Sequence, residues 1–173
     1  MSFAPAEHGP PSSPPRVVAT SGVIFSALYI TSLILIRLAV PADPKDPGIW
    51  LADLAYRNWV RIALNLVPFT GIAFLWFMAV LRDRIGRRED KFFATVFMGS
   101  GLLFVGLFLA GAAAIGGLAA GARFGTASSI DATIVGYARS LGYTFLLVFA
   151  TKAAGVFTIV TSTMLLRLAH WPR

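Results

Sequence analysis

Four long apolar runs restrict what this chain can fold into. The clearest extends from Phe92 to Ala122 and carries no charged residue. About a quarter of the residues in a soluble domain are charged, whereas only 13% are charged here and 57% are hydrophobic. A helix of about 20 apolar residues crosses the hydrocarbon core of a bilayer. The sequence therefore predicts an all-α integral membrane protein, a four-helix bundle.

The polar segments between these runs set the predicted domain boundaries. The proline-rich residues 1–16 should form a disordered N-terminal tail, residues 17–167 a transmembrane domain, and residues 168–173 a C-terminal tail. We predict spans at about 17–40, 60–81, 92–118 and 140–166. A cleaved signal peptide is the alternative for the first span, but its apolar part before Arg37 is longer than the ~7–15 residues of a signal h-region.

The segment from Arg82 to Lys91 sets the predicted orientation. Five of its ten residues are Lys or Arg, and it lies between the second and third spans. Short loops rich in Lys and Arg stay on the cytoplasmic side. With four spans both termini then also face the cytoplasm, and we expect a multi-pass protein of the cell inner (cytoplasmic) membrane. The net charge of +7 favours contact with the anionic head groups of the lipid bilayer.

Composition also excludes several chemistries. The chain has no cysteine, and its two histidines, His8 and His170, lie near the two ends. Thiolate nucleophiles and Cys-based metal sites are therefore excluded. No basic face with interleaved aromatic residues lies outside the spans, which argues against nucleic acid as a partner. The outer segments contain four aspartates, none with a His or Cys beside it: Asp43, Asp46, Asp53 and Asp131. We therefore expect no enzyme, no metal site and no cofactor.

The outer half of the third span consists almost entirely of small residues. Pairs of small residues four apart let the backbones of two helices approach closely in lipid. The pairs are Ala112/Gly116, Ala113/Gly117 and Gly117/Gly121. We predict that this region contacts another helix, either in this chain or in another subunit. A second packing seam is expected on the last span, at Thr151 and Gly155.

Lys152 is predicted to lie near the middle of the bilayer. It follows Arg139 by 13 residues and precedes Arg167 by 15, which is roughly 20 Å in either direction. A lysine at that depth costs at least ~2.5–3.5 kcal/mol, so it should face the protein interior or a wet cavity. No Asp or Glu lies within a predicted span. The candidate partners are hydroxyl groups, Asn65, the backbone carbonyl freed by Pro68, water, or a bound anion.

Two interpretations of Lys152 stay open. It is either an anion- or proton-responsive site, with Asn65 and Pro68 as its neighbours, or a lysine satisfied by backbone carbonyls or by snorkelling to the interface.

The stretch from Arg57 to Leu103 resembles a group of small four-span bacterial membrane proteins. The resemblance is carried by Pro68-Phe69-Thr70-Gly71-Ile72-Ala73-Phe74-Leu75-Trp76-Phe77, which leads into Arg82-Asp83-Arg84. It covers the two central spans and their loop. It implies a four-span fold and carries no activity.

Three classes of function remain at this point. The small residues of the third span favour a structural or accessory subunit that packs in a membrane assembly. Lys152 and a second span kinked at Pro68 favour a small oligomeric transporter or channel. A membrane enzyme has the least support. The expected partners are other membrane-protein subunits or a second copy of the chain.

Overall fold

The described part of the chain folds into helices. The structure is a computed structural model that describes residues 15–41, 43, 46, 48, 51, 53–85, 91–124 and 131–169. Its helices are α1 (Pro15–Ala39), α2 (Leu54–Ile85), α3 (Lys91–Phe124), α4 (Ala132–Tyr143), a π-helical segment (Thr144–Phe149) and α5 (Ala150–Ala169). Because α4, the π segment and α5 are continuous, four long helices result, each long and apolar enough to cross a membrane. The predicted all-α fold with four membrane-spanning helices is confirmed.

Two helices begin several residues before the predicted apolar spans because aspartates cap them. The backbone N–H of Ala55 donates to Asp53 Oδ1 at 2.8 Å, so α2 begins at Leu54 rather than near residue 60. The backbone N–H of Thr133 donates to Asp131 Oδ1 at 2.9 Å, so α4 begins at Ala132 rather than near residue 140. These carboxylates satisfy amide groups that have no partner inside the helix. The hydrogen bond from the Thr133 N–H also holds the pKa of Asp131 below its usual value.

Some predicted features lie outside the described residues. They are the N-terminal tail up to residue 14, residues 86–90 of the basic loop, and residues 170–173 of the C-terminal tail.

The helix α3 is the centre of the bundle. It packs against α2 on one side and against α4, the π segment and α5 on the other, while α1 lies along α2. Aromatic rings join all four long helices at Phe74 of α2. Its ring centroid lies 4.9 Å from that of Phe25 in α1, 4.8 Å from Phe104 in α3 and 5.1 Å from Phe157 in α5. Such tilted and edge-on contacts stabilise by dispersion and by the ring quadrupole, which act in lipid as they do in water.

The helix α4 holds the connection that follows α1. The Tyr143 hydroxyl donates to the carbonyl oxygen of Val40 at 2.6 Å. Four residues earlier on the same helix face, Arg139 Nη1 donates to the carbonyl oxygen of Asp46 at 3.4 Å. Both carbonyls belong to the segment between α1 and α2, so two side chains of α4 satisfy backbone groups of that connection.

A glycine lets this connection lie close to α4. Gly48 has a φ of 92°, which a residue with a side chain rarely adopts, and its backbone N–H donates to Asp46 Oδ1 at 2.7 Å. A Cβ at this position would come within 2.9 Å of Val135 Cγ1 in α4. The turn therefore requires glycine both for its backbone conformation and for its close packing.

Candidate functional site

Lys152 lies on the outward face of α5. Its side chain is exposed on the surface of the bundle, whereas Ala150, Ala153 and Phe157 are buried against the other helices. The expectation that Lys152 faces the interior of this bundle is therefore wrong for the single chain. The physical reason is that α5 has apolar side chains on both sides. Phe157 packs against α2 and α3, whereas Ile159 and Leu166 are exposed on the side of Lys152.

The structure does not bring Asn65 and Pro68 to Lys152. All three side chains are exposed, and no described contact joins them. Asn65 Nδ2 instead donates to the backbone carbonyl of Arg61 at 2.8 Å, one turn earlier in α2. The helix α2 continues past Pro68 to Ile85. The predicted three-residue polar site is thus divided between two separate faces of the bundle.

Of the predicted packing residues, two face a neighbouring helix. Ala112 is buried in the core, and Gly116 is half-buried where a Cβ would come within 2.9 Å of Leu64 Cδ1 in α2. The other five are exposed on the bundle surface: Ala113, Gly117, Gly121, Thr151 and Gly155. In the described part of the chain, no atom lies within 4 Å of the position of a Cβ on Gly117 or Gly155. Within the single chain these five residues are not packed against another helix, and their contact with another subunit stays a prediction.

Two helix backbones approach closely at Gly111, one residue before the first predicted pair. A Cβ on Gly111 of α3 would lie 3.0 Å from the carbonyl oxygen of Gly142, and a Cβ on Gly142 would lie 3.2 Å from the carbonyl oxygen of Gly111. Leu146 and Ile115 surround this contact. Small residues occupy every side of the outer half of α3, so their spacing alone does not indicate which side faces α4.

A cleft opens between the first turns of α2 and the last turns of α3. Its volume is about 390 Å³. On the α2 side the cleft is lined by four polar residues and two leucines: Arg57, Asn58, Arg61, Asn65, Leu54 and Leu64. On the α3 side it is lined by three small residues: Gly116, Ala119 and Ala120. Asn65 therefore belongs to this cleft and not to a site at Lys152.

A buried arginine lies just before the predicted fourth span and was not among the predicted site residues. Arg139 was assigned to an outer segment, but it is 3% exposed and binds the Asp46 carbonyl. The available signal was the spacing of Val135, Arg139 and Tyr143, which places an arginine between an aliphatic and an aromatic residue on one helix face. Arg139 holds the connection between α1 and α2 to α4.

Comparisons with protein-family models, with curated proteins and with solved structures found no match. Among the described residues, no group of three or more His, Cys, Asp and Glu side chains is placed to hold a metal ion.

Proposed function

We propose that this protein is an accessory subunit of a membrane-protein assembly and that it docks through the face of α5 that carries Lys152. The observation that carries this proposal is an exposed lysine midway along a membrane-spanning helix. A lysine in contact with lipid at that depth costs about 2.5–3.5 kcal/mol or more. A partner that covers this face removes the cost.

The residues around Lys152 suit a close helix contact. Thr151, Gly155 and Ser162 are exposed on the same side of α5. Their small side chains allow another backbone to approach, and in lipid this contact supplies most of the association energy. We call these four residues the Lys152 face.

The charge of Lys152 indicates the chemistry of the partner. The eight acidic residues of this chain lie in the tail, in the connections, at helix N-caps or in the last turn of α2: Glu7, Asp43, Asp46, Asp53, Asp83, Glu89, Asp90 and Asp131. A second copy of the chain therefore has no carboxylate at the depth of Lys152. The proposed partner is a different protein with an Asp or Glu in the middle of a transmembrane helix, since ionisable groups in lipid pair with each other.

A second candidate function is a small oligomeric transporter or channel. It is favoured by the hydroxyl groups of Thr151 and Ser162 beside Lys152 on one face. Several copies arranged around an axis would line a polar path with these groups. In this arrangement water or an anion, rather than a carboxylate, would compensate the lysine charge.

Site-specific photo-crosslinking in native membranes tests the first proposal. A photoreactive amino acid replaces Ser162 on the Lys152 face, and a control replaces Ile72, which is exposed on α2. We expect a discrete product with another protein from position 162, absent from position 72. The product should be lost in Lys152→Met and retained in Lys152→Arg, because the pairing requires the charge.

Charge exchange identifies the contact. The crosslinked partner should contain a carboxylate within a span, and changing it to Lys should abolish the product. Combining that change with Lys152→Asp should restore it. A product with a second copy of this chain would support the oligomeric channel instead. Docking at this face would be contradicted by equal yields of crosslinked product from positions 162 and 72. It would also be contradicted if Lys152→Met left the yield from position 162 unchanged.

A further inference from the structure

The cleft between α2 and α3 contains two cationic side chains. Arg57 and Arg61 are one helical turn apart, so their Cβ atoms are about 5–6 Å from each other on the same face. Both line the cleft, and none of the described lining residues is acidic. Neither guanidinium forms an ion pair with a described residue. Two positive charges therefore converge on one cavity without a described counter-charge.

The carboxylates at this end of the bundle are engaged elsewhere. Asp46, Asp53 and Asp131 each accept a hydrogen bond from the backbone N–H of the residue two positions later. Asp43 also has an interaction partner. Residues 42–52 and 125–130 contain no further acidic residue. Among the described residues, no carboxylate therefore forms an ion pair with either arginine of the cleft.

The cleft lies at the expected depth of the lipid head groups. Tyr56 and Trp59 are exposed on the same turns of α2, with 38% and 46% of their surfaces accessible. Tyrosine and tryptophan concentrate at this depth because their rings combine an apolar body with a polar edge. The charge-free part of α2 begins directly afterwards, at Ile62.

The walls of the cleft combine polar and apolar groups. Leu54 and Leu64 contribute aliphatic surface on the α2 side, and Gly116 and Ala120 leave room on the α3 side. A cavity of about 390 Å³ is within the range of small-ligand sites, roughly 300–1,000 Å³. A ligand with an anionic head and an apolar body matches both kinds of wall.

We propose that this cleft binds the phosphate group of an anionic phospholipid, with Arg57 and Arg61 as its ligands. Guanidinium groups present paired N–H donors that match phosphate oxygens in charge and geometry. A lipid is favoured over a soluble phosphate because the cleft lies at head-group depth and its leucine and alanine walls suit the first carbons of an acyl chain. The site is on α2 and α3, so it does not depend on the docking proposed for α5.

Lipid retention measured by native mass spectrometry tests this proposal. The full chain is placed in bilayer discs that contain equal amounts of phosphatidylglycerol and phosphatidylcholine, and the lipids that remain bound after mild release are counted. We expect one retained phosphatidylglycerol per chain. The double variant Arg57→Gln, Arg61→Gln should lower its retention roughly 30-fold relative to phosphatidylcholine. Arg37→Gln, which removes an exposed charge from α1, is the control and should change retention little.

A steric variant separates the cleft from general surface charge. Ala120→Phe fills the cleft without changing any charge, and Ala110→Phe adds the same ring to an exposed position of α3 outside the cleft. We expect Ala120→Phe to lower phosphatidylglycerol retention and Ala110→Phe to leave it unchanged. If both variants behave like the parent, or if Arg37→Gln acts like the arginine double variant, the retained lipid is bound by surface charge and the proposal is overturned.

Inorganic phosphate distinguishes the two sources of the ligand. Millimolar phosphate should not displace the retained phosphatidylglycerol if the apolar walls contribute to binding. Displacement by phosphate alone would mean that the site takes a soluble phosphate, which would overturn the assignment to lipid. Equal retention of phosphatidylcholine and phosphatidylglycerol by the parent would overturn the proposal altogether.

Discussion

Single residues decide how closely α3 and α4 approach each other. Gly111 and Gly142 face each other across this contact, and each would bring a Cβ close to the backbone oxygen of the other. Near Gly111 the other neighbouring atoms are Leu146 Cγ and Phe145 Cβ, which are too close to their own backbones to move aside freely. Neither position can therefore accept a methyl group without a shift of the helices.

We predict that Gly111→Ala and Gly142→Ala each destabilise the bundle by about 1–3 kcal/mol, the usual range for overpacking. The measurement is thermal unfolding in a mild detergent. The controls are Gly106→Ala in α3 and Gly136→Ala in α4, where no described atom lies within 4 Å of the new Cβ. These should be neutral or stabilising by up to about 1 kcal/mol, because alanine favours a helix more than glycine does. Similar losses at all four positions would contradict the assignment of the loss to close packing between Gly111 and Gly142.

At the scale of a whole element, the π-helical segment shifts the packing register of the last helix. Buried residues occur at 135, 139, 142 and 146 before the shift and at 150, 153, 157, 160 and 164 after it. Up to residue 146 the intervals between buried residues alternate between four and three. If this alternation had continued, the next buried residue would have been 149. Instead, two successive intervals are four residues long, from 142 to 146 and from 146 to 150, so the helix contains one extra residue here. Correspondingly, the Thr151 hydroxyl donates to the carbonyl oxygen of Leu146, five residues earlier, at 3.4 Å. Such insertions are the usual origin of π-helical turns.

Deleting one residue from this segment should therefore be tolerated. Removal of Val148, which is 40% exposed, should convert the segment to a regular α-helix and keep the faces on both sides of it. Removal of Val156, which is 44% exposed, should rotate every later residue by about 100° and turn Val160 and Met164 away from the bundle. We expect the Val148 deletion to yield folded protein in the membrane fraction with a nearly unchanged melting temperature. The Val156 deletion should yield little or no folded protein. Equal damage by both deletions would mean that the segment is not a removable insertion.

At the scale of the whole molecule, one end of the bundle carries basic residues from three helices. Arg82 and Arg84 lie in the last turn of α2, and Lys91 begins α3. Arg167 of α5 places its guanidinium carbon 4.4 Å from the ring centroid of Phe93, so the end of α5 lies beside the start of α3. An end with this charge is favoured on the cytoplasmic side.

We predict that both termini face the cytoplasm. Reporter fusions after Lys91 and Arg173 should give a cytoplasmic signal, and fusions near Asp46 and Ser128 should give an external signal. Replacing Arg84, Arg87 and Arg88 with neutral residues should mix the two orientations, because the basic loop then no longer favours one side. An external signal at Lys91 would reverse the orientation and the sidedness of every site described above.

Much of the architecture follows from the sequence. Four apolar runs, broken by charged and proline-rich segments, suffice for four spanning helices because a bilayer demands continuous apolar helices of known length. The helix starts at Asp53 and Asp131 likewise depend on hydrogen bonds to nearby backbone groups. In each case the deciding interaction is local: a run of apolar residues, or a side chain that bonds the backbone two positions later.

Only the tertiary structure decides which side of each helix faces inward. In water, hydrophobic residues mark the buried face, but in a bilayer the surroundings are as apolar as the core, so the pattern carries little information about direction. For this reason Gly117 and Gly155 looked like packing residues and are exposed, whereas Gly111 and Gly142 form the close contact. Likewise the cleft at Arg57 depends on how α2 and α3 are placed beside each other, which no local interaction within either helix determines.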